Sequence, residues 1–285
     1  MRVFVGQRDV VVVSGEEAAS YLQGQISQDV EMLTGDQGAS AWSLILQPQG
    51  KVDAWFRITA TEADDTFILD VDAGHGEALL TRLKRFKLRT KAELSLETWD
   101  WHAFREMPTG DTLSVLAEDG AAVVASSGAP GTYDVIGPAL SEPAEEQMSA
   151  LEFDRLRIRD MVPAMGAELT ESTIPAEAGI VDRSVSFTKG CYTGQELVAR
   201  VDSRGSNTPR KLRLIEGPGF PDVGSELTVD GATVGALTSV AADDDGFVAL
   251  AYIKRSAHDA TSAQLGDVAV SVHAEPQGTL SLIHI

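Results

Sequence analysis

From residue 212 onward the chain breaks into five short β-prone runs, at 212–215, 226–229, 233–237, 247–252 and 268–272. Turn clusters separate them: Gly217-Pro218-Gly219, Asp230-Gly231 and Asp243-Asp244-Asp245-Gly246. The pattern predicts a small antiparallel β-barrel of about 70 residues.

The first two hundred residues have a different texture. An apolar run at 10–13 predicts a strand, and Ser14 with Glu17 predicts a capping box for a helix carrying Ala18, Tyr21, Leu22 and Ile26. Ser40, Trp42, Leu44 and Leu46 alternate, Pro48-Gln49-Gly50 turns, and 52–58 returns as a hairpin partner. Residues 67–71 predict a strand. Leu79, Leu83 and Phe86 predict a helix, and Leu88, Thr90, Ala92, Leu94 and Leu96 switch to strand period. Ser141, with Pro143 in the first turn, predicts the start of a helical stretch running through Leu151, Leu156 and Ile158. Residues 162–188 predict mostly loop. Single helices among short strands indicate an α+β fold. The expected division is an α/β domain over 1–205, a barrel over 206–279 and a tail over 280–285. That tail reads Leu-Ser-Leu-Ile-His-Ile, which matches the translation of a common sequencing-library transposon end and is expected to be non-native.

With 43 acidic against 23 basic residues, the formal charge is −20. Such a surface repels a duplex phosphate backbone, so nucleic acid is not an expected partner. The N-terminal residues carry no basic stretch followed by a long apolar run, and a cytoplasmic protein without a membrane anchor is expected. One cysteine, Cys191, excludes an intrachain disulfide and a four-cysteine metal site, and the five histidines are scattered. No resident metal is expected.

The most informative segment is Lys189-Gly190-Cys191-Tyr192-Thr193-Gly194-Gln195-Glu196. Thr193 and Glu196 predict a second capping box, with a helix from about Gly194 and Cys191 just outside its N-terminus. The helix dipole and the positive charge of Lys189 then favour a thiolate, which makes Cys191 the candidate reactive group with Lys189 beside it. The alternative is an inert cysteine packed at a loop-to-helix junction.

This octapeptide closely resembles the signature of the folate-binding YgfZ-type proteins, relatives of the glycine-cleavage aminomethyltransferase. The resemblance extends over roughly residues 1 to 255. Tyr21-Leu22-Gln23-Gly24-Gln25 with Asp29-Val30 is similar to the family's first helix, and Pro48-Gln49-Gly50-Lys51 to its first hairpin turn. Leu156-Arg157-Ile158 with Pro163, Gly166 and Glu168, then Pro175-Ala176-Glu177-Ala178-Gly179, resembles the approach to the signature. Gly235-Ala236-Leu237-Thr238-Ser239 resembles the C-terminal barrel. The resemblance implies ferredoxin-like α/β units around a central folate-binding opening, a C-terminal antiparallel barrel, and tetrahydrofolate or a derivative as cofactor. It also implies iron–sulfur proteins or their assembly factors as partners. Thr132-Tyr133-Asp134-Val135 is similar to an element of the transferases that contacts the pterin, so Asp134 and Glu177 are candidate cofactor contacts.

In one place the chain departs from the transferases. Where they carry a catalytic aspartate, the aligned position here is Leu79, with Glu77 two residues away. The implied function is therefore a folate-binding accessory protein for assembly or repair of iron–sulfur cluster proteins. The rivals are a folate-dependent one-carbon transferase or demethylase, and a binding module with an inert cysteine. Six cations at Arg82, Lys84, Arg85, Lys87, Arg89 and Lys91 read as the solvated face of a helix and the strand after it, or as a dock for an anionic group.

Overall fold

The computed structural model describes residues 2–35, 38–61, 63, 65–105, 121–126, 132–205 and 207–274. The expected tail at 280–285 and the last residues of the expected barrel domain lie outside them.

An eight-stranded sheet is organised on one long strand, β1 (Arg2–Ser14). Along its whole length β1 pairs antiparallel with β5 (Glu93–Arg105), and its second half pairs on the other side with β4 (Thr66–Asp72). With β2 (Ser40–Leu46), β3 (Val52–Ala60), β6 (Ala122–Ala125) and β7 (Tyr133–Gly137) the order is β2-β3-β4-β1-β5-β7-β6, and the two-residue β8 (Glu146–Gln147) pairs with β1. Because side chains alternate across a strand, each face is set by parity. Val11, Val13, Phe56, Ile58, Leu69 and Val71 point to one face. There α1 (Ala18–Gln25) and α2 (Gly76–Lys84) cover them with Leu22, Leu79, Leu80 and Leu83. Each fully buried side chain of this size stabilises by about 1.5–3 kcal/mol, so this face holds both helices.

The C-terminal barrel is closed in the order β10-β11-β12-β9-β14-β13. Its strands are β9 (Arg210–Gly217), β10 (Glu226–Val229), β11 (Ala232–Asp243), β12 (Gly246–Lys254), β13 (Ser262–Leu265) and β14 (Val268–His273). The sixth strand, β13, alternates only weakly and escapes a periodicity reading. A shared core joins barrel and sheet: Leu44, Leu46 and Trp55 pack with Leu212, Val248, Leu250 and Tyr252, through Ile158 of α3 (Ala150–Arg159), the loop that follows it and Val181 of the short α4 (Val181–Ser184).

Three expected helix starts differ from the structure. Ser14 is occupied in the ladder, opposite Glu93 and Thr66, so α1 begins at Ala18 without a side-chain cap. α3 begins not at Ser141 but after Ser149, whose hydroxyl and backbone form a capping box with Glu152. The third is at α5 (Gln195–Asp202), where Gly194 in a left-handed conformation replaces the Thr193 cap. The strand expected from Leu88 begins at Glu93, and Leu88 is in a loop.

Glu168 joins the two halves. Its fully buried carboxylate accepts from Arg157 Nη1 (3.2 Å), the Ala164 amide (3.0 Å), Thr238 Oγ1 (2.7 Å) and Ser239 Oγ (2.6 Å), while Tyr252 Oη donates to its backbone carbonyl (3.0 Å). Thus α3, the 162–173 loop and the barrel meet on one charge. Glu168→Gln removes the charge on which Arg157, Thr238 and Ser239 converge, while Arg157 keeps Asp154, and is expected to lower unfolding stability by about 1–3 kcal/mol. Urea denaturation checks this. A loss under about 1 kcal/mol contradicts the assignment.

Candidate functional site

The face of the sheet away from α1 and α2 carries charge. Arg57 of β3 forms a two-pronged pair with its cross-strand neighbour Asp70, Nε to Oδ1 at 2.9 Å and Nη2 to Oδ2 at 3.0 Å. Arg8 of β1 donates to Asp70 Oδ2 at 2.6 Å and to Asp72 Oδ1 at 2.9 Å. Asp134 of β7 accepts from Arg57 Nη1 on one oxygen (2.9 Å) and from Arg105 Nη1 on the other (3.0 Å). Three guanidiniums therefore face three carboxylates across five strands, and all but Asp72 are buried. Burial alone would raise the Asp134 carboxyl; the Arg57 and Arg105 charges outweigh it and hold the group below the ordinary carboxylate range.

Aromatic rings lid this network. Trp42 stacks on Trp55 with centroids 4.3 Å apart and lies 5.3 Å from the Arg57 guanidinium. Trp101 sits over Arg8, and Phe153 of α3 over Arg105, each at 5.2 Å. On this same face Trp42 Nε1, Thr59 Oγ1 and Trp101 Nε1 are buried and find no partner among the described residues. An orphaned buried donor costs about 1–3 kcal/mol, so a face with three of them suits a flat ligand that brings acceptors. From β2 to β5 is four strand spacings, about 19 Å, which requires an elongated ligand to reach all three.

The octapeptide 189–196 lies at the β2–β3 end of the sheet, where Gly194 approaches Leu46 and Gln47. Residues leading into it are strapped down: Ser184 Oγ accepts from Trp55 Nε1 (2.9 Å), and the Ser184 carbonyl accepts from Ser27 Oγ (2.6 Å). Lys189 is buried, and its ammonium donates to three carbonyls, those of Gln23, Ile26 and Gln28, each at 2.8 Å. These are the carbonyls left open where α1 ends, a favourable place for a cation. Burial draws the amine down to about 8, against the pull of Asp29 and Glu31. All three N–H donors are occupied, so Lys189 anchors the loop instead of serving as a free charge at the thiol. Tyr192 packs beneath, its ring 5.3 Å from the ammonium; its buried hydroxyl has no partner among the described residues and is pushed up to about 12.

Cys191, three residues ahead of the α5 N-cap, is exposed, as is Gly190. Behind it the two glycine turns interlock. A Cβ on Gly194 would fall 2.8 Å from the Gln47 carbonyl, and one on Gly50 would fall 2.8 Å from Leu197 Cβ. Both residues have positive φ, +85° and +70°. Only glycine permits this approach and this backbone together, which is why Gly194 displaces Thr193 as cap. Glu196 pairs with Arg200 instead of closing a box.

Glu177 is buried and accepts from Arg210 Nε at 3.0 Å, tying its loop to the first barrel strand. Leu79 is buried in the helix-side core and Glu77 is exposed on α2, so neither position brings an acid to the aromatic face. Among the described residues no three of His, Cys, Asp or Glu cluster as a metal site. Arg8, Arg57, Asp70, Arg105 and the orphaned donors escape a reading by motif. The signal available for the charges is their place among apolar neighbours, as with Arg57 between Phe56 and Ile58 and Asp70 between Leu69 and Val71.

No family model matches the chain. It is 30% identical over 217 residues to the mitochondrial iron–sulfur cluster assembly factor IBA57 homologue of Phaeosphaeria nodorum, covering 70% of this chain and 51% of that protein. To the homologue of the same name from Pyricularia oryzae it is 28% identical over 221 residues, covering 73% and 55%. The chain thus spans about half the length of these curated relatives. The crystal structure of the glycine cleavage system aminomethyltransferase T from Bartonella henselae superposes with a TM-score of 0.79 at 18% identity, covering 96% of this chain and 85% of that one. The fold is that of the aminomethyltransferases.

Two outcomes follow from this geometry. Lys189→Met strands three carbonyls and should destabilise by about 2–3 kcal/mol, with faster amide exchange at residues 26–30 and 189–194; unchanged exchange there contradicts the anchor. The Asp134 carboxyl binds its proton less readily in the folded state than in the unfolded chain. Its contribution is therefore complete above the unfolded value near pH ~4 and is lost as pH falls through the lower folded value. Asp134→Ala should unfold more readily at pH 7 and show a shallower loss of stability below pH ~4; identical acid profiles contradict this.

Proposed function

We propose that this protein is a YgfZ-type folate-binding accessory factor that supports assembly or repair of iron–sulfur cluster proteins. The observation that carries it is the presentation of Cys191: an exposed thiol on a loop pinned by a buried ammonium and two interlocked glycine turns. A packing cysteine needs no such mounting. The relatives named as iron–sulfur cluster assembly factors support the same reading. One cysteine supplies one of about four ligands to a cluster, so a cluster held here is shared with its owner and is cargo.

The aromatic face is where tetrahydrofolate or a derivative fits. A pteridine carries acceptors for the indole and hydroxyl donors of Trp42 and Thr59 on the adjacent strands β2 and β3, and the rest of an elongated folate extends towards Trp101 on β5. Asp134 lies against Arg57 and Arg105, yet each of its oxygens keeps a second lone pair for a ring N–H; Glu177 accepts from Arg210 and the Ile174 amide on one oxygen, which leaves the other for such a contact. With Leu79 in the core, binding without aminomethyl transfer is the reading the geometry favours.

Calorimetry with tetrahydrofolate should show binding to the wild type, weakened about tenfold in Trp42→Phe by loss of the hydrogen bond from Trp42 Nε1. No wild-type binding overturns the folate assignment. Cys191→Ser should keep the fold and folate affinity yet fail to restore iron–sulfur enzyme activity in cells lacking the native protein. Full restoration makes Cys191 dispensable and overturns its role.

A further inference from the structure

We infer that the loop joining α2 to β5 is a docking surface for an acidic, apolar-studded protein surface. This rests on the proposed function, since it assigns a contact to the client or assembly factor that Cys191 serves. Of the six cations at 82–91, Arg82 is held by Asp53 and the Leu46 carbonyl, Lys91 pairs with Glu16, and Lys87 lies 3.9 Å from Glu93. Lys84, Arg85 and Arg89 are exposed and make no ion pair among the described residues. Between them Phe86 is 44% and Leu88 82% exposed. The loop is shaped: the Phe86 and Lys87 amides donate to Leu83 and Lys84, and Arg89 sits at φ +57°, a left-handed conformation uncommon for arginine.

Cations without an ion pair beside two exposed apolar side chains, Phe86 carrying the Arg82 and Arg85 guanidiniums over its ring, form a patch of opposite sign to its surroundings on a chain of charge −20. That contrast selects the partner. An extended anionic surface such as a bilayer meets the whole protein's repulsion, whereas an acidic patch on a folded protein senses only charges within a Debye length, about 8 Å. A folate tail is disfavoured, because α2 covers the face of the sheet opposite the aromatic one. The patch is also tied to the loop that carries the thiol, through Arg82, whose guanidinium lies over the Phe86 ring at 4.3 Å. Leu46 accepts from Arg82 Nη2 at 3.1 Å and packs on Gly194, where an added Cβ would come 2.9 Å from its own. A partner seated on Arg85, Phe86 and Leu88 is thereby brought towards the end of the sheet that presents Cys191.

The test uses the full chain and a triple variant, Arg85→Glu, Leu88→Ser and Arg89→Glu, all exposed positions. Thermal unfolding and tetrahydrofolate affinity should match the wild type. A fluorescent peptide of alternating Glu and Phe should bind the wild type, with about tenfold loss in the variant and weakening by added salt. In cells lacking the native protein the variant should leave iron–sulfur enzyme activity near the level of the deletion. Peptide binding that is absent or unchanged in the variant overturns the inference, as does full complementation by the variant. Co-sedimentation of the wild type but not the variant with phosphatidylserine vesicles overturns it in favour of a lipid surface. If the triple variant complements fully while Cys191→Ser fails, the docking surface falls and the proposed function stands; if both complement, the proposed function falls with it.

Discussion

The Arg57–Asp70 pair is the constraint around which the sheet is arranged. It is almost wholly removed from water in the middle of a sheet, where an unpaired charge costs several kcal/mol. Asp70 needs Arg8 as well, Arg57 needs Asp134, and Asp134 needs Arg105. This chain of obligations fixes the register of β3, β4, β1, β5 and β7 relative to one another, since a one-residue slip would turn a charged side chain into the helix-side core. The aromatic lid follows from the same need. Trp42, Trp101 and Phe153 exclude water from the guanidiniums while offering their faces to them.

The two ends of the molecule answer to this scaffold in different ways. At the barrel end Glu168 gathers hydrogen bonds from α3, its loop and β11, so the barrel is docked by a charge as well as by the shared apolar core. At the other end an ammonium plays the corresponding part, and the loop it pins carries the thiol outward. In both places a single buried charge, satisfied by groups far apart in sequence, ties together segments remote along the chain. Such interactions contribute little net stability beyond that of an apolar replacement, but they specify one arrangement.

Much of the architecture could be read from residue pattern. The β2–β3 hairpin, α2 and the barrel all have clean periodicity and turn residues where the backbone needs them. The errors came where a local signal had a competitor. Ser14 and Glu17 form a fair capping box on paper, yet Ser14 already belongs to a strand with two neighbours. Thr193 and Glu196 form another, yet the close approach of Gln47 leaves room for Gly194 alone. At Leu88 the alternation continued backward into a loop, and the side chain that appeared to belong to a strand is instead among the most exposed apolar groups described.

For the site the division is sharper. The sequence alone determined that one cysteine stands in a Gly-bounded loop before a helix, because those residue types are local and contiguous. It also determined the acidic balance and the basic run at 82–91, which need only counting. Tertiary structure alone decided that Lys189 is an anchor, because its three acceptors lie more than 160 residues away at the end of α1. It decided too that Asp134 belongs to an ion-pair network, and that Gly50 and Gly194 are halves of one contact. The physical reason is the same throughout. A side chain's identity states what it can bond to, but burial removes water as the default partner, and which group replaces water is settled only by the strands and turns that folding brings within about 3 Å.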